Sequence, residues 1–203
     1  MSIAQFAAAN RKAFTWMFAG GCLALALFTA HGWSSQGWLD AVIESVGLVL
    51  IVVGSYGRIW STLYICGRKN IELVRVGPYA LVRNPLYISS LIAAIGIGLA
   101  SENLAVLALL LIGFVGYYPL VVRAEEDNLR RVHGAAFDHY AAEVPRFLPR
   151  FARPVEPDEY TVSPRTFRRV LLDSMWFFWL YVALETAERL RQTGVLPTVW
   201  TLP

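Results

Sequence analysis

Glu125 and Glu126 stand side by side just after a long apolar run, and Arg83-Asn84-Pro85 stands just before another. Two neighbouring carboxylates at a membrane edge carry a desolvation cost unless each has a partner. Adjacent helical side chains point about 100° apart, so at most one of the pair can face a site. Glu126 shares a helical face with Leu129 and Arg130, which favours it for the inward role. An acidic helix-end cluster is the ordinary account of the other. In Gly77-Pro78-Tyr79-Ala80-Leu81-Val82-Arg83-Asn84-Pro85-Leu86-Tyr87, the prolines fix a compact loop and Gly77 allows close backbone approach. Arg83 offers a planar fork of donors, and Tyr87 a stacking face with a hydroxyl tip. Asn84 can donate and accept but cannot titrate near neutrality, so this position is no proton shuttle. A well-formed juxtamembrane turn with a snorkelling arginine would use the same residues.

A third group, Gly134, Phe137, Tyr140 and Val144-Pro145-Arg146-Phe147-Leu148-Pro149, follows the carboxylates. Phe137 and Tyr140 share a helical face and can either close over a ligand or pack on the spans. Arg58 lies between apolar stretches and could reach an anionic group at the interface, though a snorkelling side chain is the expected account. His133 and His139 read as surface residues, and Cys22 and Cys66 as free packing residues without metal-like spacing. No Gly-x-Gly-x-x-Gly follows a strand pattern, so a soluble dinucleotide site is unsupported.

The elements that must position these groups are membrane segments. The chain is 56% hydrophobic and only 16% charged, more apolar surface than a soluble domain of this size hides easily. Residues 13–30 and 104–122 carry no charge, the second close to the ~20 residues a span needs. Residues 86–101 form a shorter uncharged run, sufficient if it tilts little or ends in a protein-covered turn. Residues 39–66 are apolar apart from Asp40, Glu44 and Arg58, and residues 170–184 are the weakest candidate. The first run is too long for a cleaved signal core and reads as a retained helix. The sequence thus predicts an all-α, multi-pass membrane protein with about five segments in one domain. Residues 1–66 hold two spans, 67–150 a hairpin with the motifs, and 151–203 a linker and C-terminal helix.

Ser101-Glu102-Asn103 reads as a tight hairpin turn, and 79–84 as a turn or short helix between Pro78 and Pro85. From Glu125 onward, Leu129, Val132, Ala136, Phe137 and Tyr140 recur at helical spacing, predicting one amphipathic helix that ends before Pro145. Residues 153–164, rich in proline, read as an exposed linker. Lys and Arg concentrate before the first run, between the second and third, and after the fourth. That asymmetry predicts a cytoplasmic N-terminus and cytoplasmic motifs, with 32–37 outside and Trp16, Trp33, Trp38 and Trp60 as interface anchors. Arg189 and Arg191 break the pattern if the last run crosses. The net charge of +3 fits this asymmetry and gives no reason to invoke nucleic acid.

In this order around one hairpin, the three groups resemble the cofactor-binding half of the integral-membrane methyltransferases. That family includes isoprenylcysteine carboxyl methyltransferase and the phospholipid N-methyltransferases. The likeness covers about 68–149. This chain has Arg-Asn-Pro where the family usually has Arg-His-Pro, and Gly134 and Phe137 are separated where the family has them adjacent. The resemblance implies methyl transfer from S-adenosylmethionine to a lipophilic acceptor, an isoprenylcysteine-type carboxylate or a phospholipid amine. Membrane lipids are then partners, and neither a metal nor nucleic acid is needed. It further implies cofactor contacts at Gly77, Tyr79, Arg83, Asn84, Pro85, Tyr87, Glu125, Glu126 and Tyr140. Arg130 and Arg131 would act at the catalytic centre by orienting a carboxylate or binding a head group. A membrane reductase of the sterol-reductase type, using NADPH, and a non-catalytic membrane component are the rival readings.

Overall fold

The computed structural model describes residues 3–31, 37–68, 71–150, 152–154, 156–159, 162–196 and 200–202. Five long helices dominate: α1 (Ile3–Phe28), α2 (Trp38–Ile65), α4 (Pro85–Ala100), α5 (Leu104–His133) and α7 (Pro164–Gln192). Two short ones, α3 (Pro78–Leu81) and α6 (Ala135–Glu143), carry the motifs. A parallel pair of three-residue strands, β1 (Thr29–His31) and β2 (Trp200–Leu202), ties the end of α1 to the C-terminal residues. Helices α2, α5 and α7 are long and apolar enough to cross a membrane, while the apolar parts of α1 and α4 are shorter. The protein is an all-α membrane protein.

Small residues decide how the helices pack. A Cβ on Gly54 would sit 2.5 Å from the Ala93 backbone nitrogen and 2.6 Å from the Ser89 carbonyl. One on Gly47 would lie 2.8 Å from the Gly96 carbonyl. The backbones of α2 and α4 therefore touch along this seam, as small residues permit inside a bilayer, where van der Waals fit replaces the hydrophobic drive. Ile51, Ile97, Val106, Leu184 and Ala26, one from each long helix, are buried together in a shared core.

At sixteen residues α4 is only about 24 Å long. Both its ends stop at protein-covered turns. Asn84 at one end and Asn103 beyond the other are buried. Asn103 accepts from the Ala105 and Val106 amides, so it caps α5, and its Nδ2 donates to Thr29 Oγ1 at 2.8 Å. The expected hairpin turn at 101–103 is present, with Glu102 at φ 50°.

Cross-links fix the directions of the helices. Arg11 near the start of α1 reaches Glu125 near the end of α5. The Cys66 thiol, just past α2, lies 3.8 Å from the Ser163 carbonyl at the start of α7. At the opposite end, Arg191 donates to the Thr29 carbonyl, and Tyr181 donates to Glu44 Oε1 at 2.8 Å. Helix α7 therefore runs the length of the bundle, away from the motif-bearing end. Arg189 and Arg191 do lie at the far end, against the charge pattern, but Arg189 pairs with Glu185 at 2.7 Å and Arg191 is bound to Thr29. Residues 32–36, which include Trp33 and most of the expected outward loop, lie outside the described residues.

Two expectations about local structure change. The amphipathic helix expected from Glu125 to Pro145 is not continuous. Helix α5 runs unbroken from the apolar run through Glu125 to His133, and the chain turns at Gly134, with φ 52° and ψ −129°. Glycine enters that region without the Cβ penalty, so the helical period continues through a break it does not reveal. The second change concerns Arg58, which does not snorkel outward. Its Nη1 donates to Ser90 Oγ, and its guanidinium carbon lies 5.6 Å from the centre of the Phe177 ring.

Candidate active site

Gly77 opens the motif loop at φ 59°, and the Tyr64 ring packs where its Cβ would be, 2.4 Å away. Both its conformation and its lack of a side chain are used. Pro78 starts α3 and Pro85 starts α4, each at a first-turn position where a missing amide costs nothing. Between them the backbone turns extended, and the Arg83 amide donates to the Pro145 carbonyl at 2.9 Å. The Arg150 amide donates to the Leu81 carbonyl at 3.0 Å, and Arg150 Nη2 to the Ala80 carbonyl at 3.1 Å. The segment after α6 is thus laced onto the loop before α4.

Glu126 sits at the join. Its side chain is 4% exposed. Asn84 Nδ2 donates to Oε1 at 3.0 Å, and Arg146 donates to Oε2 through Nε at 2.9 Å and Nη2 at 2.6 Å. Arg83 Nε lies 3.4 Å from Oε1 as an ion contact, and Asn84 Nδ2 also reaches the Arg146 carbonyl at 3.3 Å. The sequence favours Glu126 as the inward carboxylate, and it is the buried one. Its oxygens are already occupied by protein donors. Two guanidinium groups against one carboxylate leave the cluster with a net positive charge.

Glu125 turns to the other side of α5. Its side chain is 28% exposed and accepts from Arg11, which also donates to Tyr87 Oη at 3.4 Å. Tyr87 meets Tyr118 edge-on with ring centres 5.4 Å apart. Asn84 at the cap of α4 and Tyr87 in its first turn therefore connect the Glu126 and Glu125 clusters.

Phe137 and Tyr140 are both buried, packed with Val144, Leu73 and Leu129. The Tyr140 hydroxyl donates to the Tyr79 carbonyl at 2.8 Å. Burial, with Glu126 nearby, pushes the Tyr140 phenol well above the usual tyrosine range, so it stays a donor. Of the expected site residues, Tyr79, Arg83, Asn84, Pro85, Glu126 and Tyr140 gather at one junction, with Gly77 supporting it and Tyr87 and Glu125 alongside. Arg130 and Arg131 are not drawn in. Arg130 is half-exposed, bound to Asp138 at 2.7 Å and lying over Phe137. Arg131 donates to Asn128 at 2.6 Å and lines a hollow of about 360 Å³ with Gln5, Ala8, Ala124 and Asp127. His139 is exposed beside Glu143, whereas His133 is only half-buried and its Nε2 is enclosed.

Sequence reasoning missed two members. Arg146 was legible only as part of Val-Pro-Arg, and Arg11 only as a topology-setting charge. Neither has a local signal for a carboxylate partner 20 or 114 residues away.

Residues 42–136 match the family described as phospholipid methyltransferase. The Nickel-cobalt-cadmium resistance protein NccN of Alcaligenes xylosoxydans xylosoxydans is 35% identical over 188 residues, 93% of this chain and 88% of that protein. The chain belongs to the phospholipid methyltransferase family. The Cobalt-zinc-cadmium resistance protein CzcN of Cupriavidus metallidurans is 37% identical over 180 residues, 89% of this chain and 82% of that protein. No solved structure matches. The stretch matched to the phospholipid methyltransferases runs from α2 through α5, so it takes in the α2–α4 seam, the Arg-Asn-Pro loop and both carboxylates. Arg146 lies beyond it.

Proposed function

We propose that this protein transfers a methyl group from S-adenosylmethionine to a lipophilic acceptor within the membrane. One observation carries the reading: Arg83 and Asn84 from the first motif and Arg146 from the last converge on the buried Glu126. The residues fit the cofactor's amino-acid end. The net positive Arg83–Glu126–Arg146 cluster suits its carboxylate, and the partly open Glu125 suits its ammonium. Glu126 is then the organiser that aims the two guanidinium groups, and Glu125 the ligand. The cofactor, when bound, supplies an electrophilic sulfonium methyl. Displacement in line at that methyl needs no covalent enzyme intermediate, so the chain's work is orientation and exclusion of water. The enclosed junction of Tyr79, Asn84 and Tyr140 does the second, and the paired charges the first. Arg130 and Arg131, turned away from this junction, have no part in the reading.

The multi-pass arrangement goes with it. With the motif end cytoplasmic, the cofactor enters from the cytosol and the acceptor laterally from the bilayer. The whole chain then acts as a single domain whose 67–150 region binds the cofactor. The relatives' names point to metal resistance. Among the described residues no group of three or more His, Cys, Asp or Glu could hold a metal ion. A part in resistance would come through a modified membrane component.

Calorimetric titration of the detergent-purified protein with S-adenosylhomocysteine and with NADPH tests the function. Binding of S-adenosylhomocysteine alone is expected. Binding of NADPH alone would move the protein to the reductases, and binding of neither would leave a non-catalytic component.

A further inference from the structure

Arg58 lies within α2, two turns from its end, and among the described residues it forms no ion pair. Its Nη1 hydrogen-bonds the neutral Ser90 hydroxyl on α4, and its guanidinium lies over Phe177 on α7. Nε is enclosed without a hydrogen-bond partner. Tyr118, Tyr87 and the Asp173 carboxylate are the titratable groups near it, yet among the described residues no carboxylate comes within ion-pairing distance. A guanidinium held among apolar helices without a paired anion is costly, and such residues normally mark a ligand or ion path. Three arginines at the site do have a carboxylate: Arg11 has Glu125, and Arg83 and Arg146 share Glu126.

The position is suited to the acceptor. Ser90 lies six residues beyond Asn84 on α4, about 9 Å further into the bundle. Tyr87, between them, belongs to the cofactor-side cluster and is also a neighbour of Arg58. Arg58 is half-buried, so part of its surface can still be reached from outside the bundle. We infer that Arg58, with Ser90, binds the oxyanion of a membrane-borne acceptor, a carboxylate or phosphate carried on an acyl or isoprenoid chain. The acceptor role rests on the methyltransferase reading, whereas the anion site stands on its own geometry. A planar fork of donors suits a two-oxygen group bound side-on. The Phe177 face holds the guanidinium in place until that group arrives.

The full-length protein in dodecyl maltoside is titrated with oleate, dioleoyl phosphatidic acid, oleyl alcohol and dioleoylglycerol, with thermal unfolding as the readout. The two anionic lipids are expected to raise the midpoint and their neutral counterparts not to. Oleate acting more strongly identifies a carboxylate site, and phosphatidic acid a phosphate site. Arg58→Gln should weaken the anionic effect on the order of thirtyfold or more. Arg58→Lys keeps the charge but loses the fork, and should retain a weaker response. It serves as the test if the glutamine variant does not fold. S-adenosylhomocysteine affinity should be unchanged in both. Equal stabilisation by anionic and neutral lipids, or an undiminished anionic effect in either variant, overturns the inference. Lipid binding lost at Arg58 in a protein that never binds S-adenosylhomocysteine would keep the anion site and remove the methyltransferase reading.

Discussion

Replacing Glu126 by Gln keeps the side chain's shape and removes its charge. In the native protein that carboxylate, 4% exposed, takes three hydrogen bonds from Asn84 and Arg146 and an ion contact from Arg83. The amide can accept through one oxygen, but its NH2 meets a guanidinium donor. Breaking a buried pair by removing one partner costs about 3–5 kcal/mol, because the remaining charge stays buried. Arg83, 12% exposed, bears that cost nearly in full, whereas Arg146, 42% exposed, can swing into water. The expected loss is therefore near the lower end, about 3 kcal/mol. Glu125→Gln removes a partner from an ion pair exposed by 38% and 28%, and should cost about 0–1 kcal/mol of stability. Unfolding of both variants in mixed micelles measures the two losses, and calorimetry with S-adenosylhomocysteine measures the site. Glu126→Gln should lose both stability and binding. Glu125→Gln should keep its stability and lose about tenfold in affinity, the scale of one charged hydrogen bond. A Glu126→Gln/Arg146→Gln double mutant should show coupling of more than about 1 kcal/mol. A Glu126→Gln protein within about 0.5 kcal/mol of wild type would refute the organising role. Unchanged stability with lost binding would return the ammonium contact to Glu126.

The helix seam gives another expectation. Gly54→Val should cost more than about 1–3 kcal/mol, since its Cβ meets α4 backbone 2.5 Å away, and a thermal melt would read it. Tyr140→Phe leaves the buried Tyr79 carbonyl without its donor and should cost about 1–3 kcal/mol near neutral pH. Tyr140 is held above its unfolded pKa, so its contribution is complete below the unfolded value and falls as pH rises toward the folded one. Wild type should therefore lose stability above about pH 10 more steeply than Tyr140→Phe, as pH-dependent melts would show. For topology, cysteines at Glu102 and Ser163, in a protein lacking the buried Cys22 and Cys66, should react differently with an impermeant reagent applied outside. Position 102 should label and position 163 should not; the reverse pattern would invert the orientation.

Much of the frame was legible in the chain itself, because its causes are local. Apolar runs mark the long helices, proline and glycine punctuate the loop around α3, and Asn103 marks the hairpin turn with its own side chain. The order of the three motif groups was enough to suggest the family. Gly134 shows where local reading fails. The apolar period continues across it, and only the packing of Phe137 and Tyr140 under the loop makes the chain turn there. The tertiary structure decided which charges meet. Glu126 finds Arg146 because the segment after α6 is hydrogen-bonded back onto residues 80–83, and Glu125 finds Arg11 because α1 lies along α5. Arg58 faces inward because glycines at 47, 54 and 57 bring α2 against α4, leaving its guanidinium between Ser90 and Phe177. The type of a charged residue fixes what it can bind. Which partner it takes depends on the backbones that carry both, and in this bundle those are set by contacts between helices far apart in the chain.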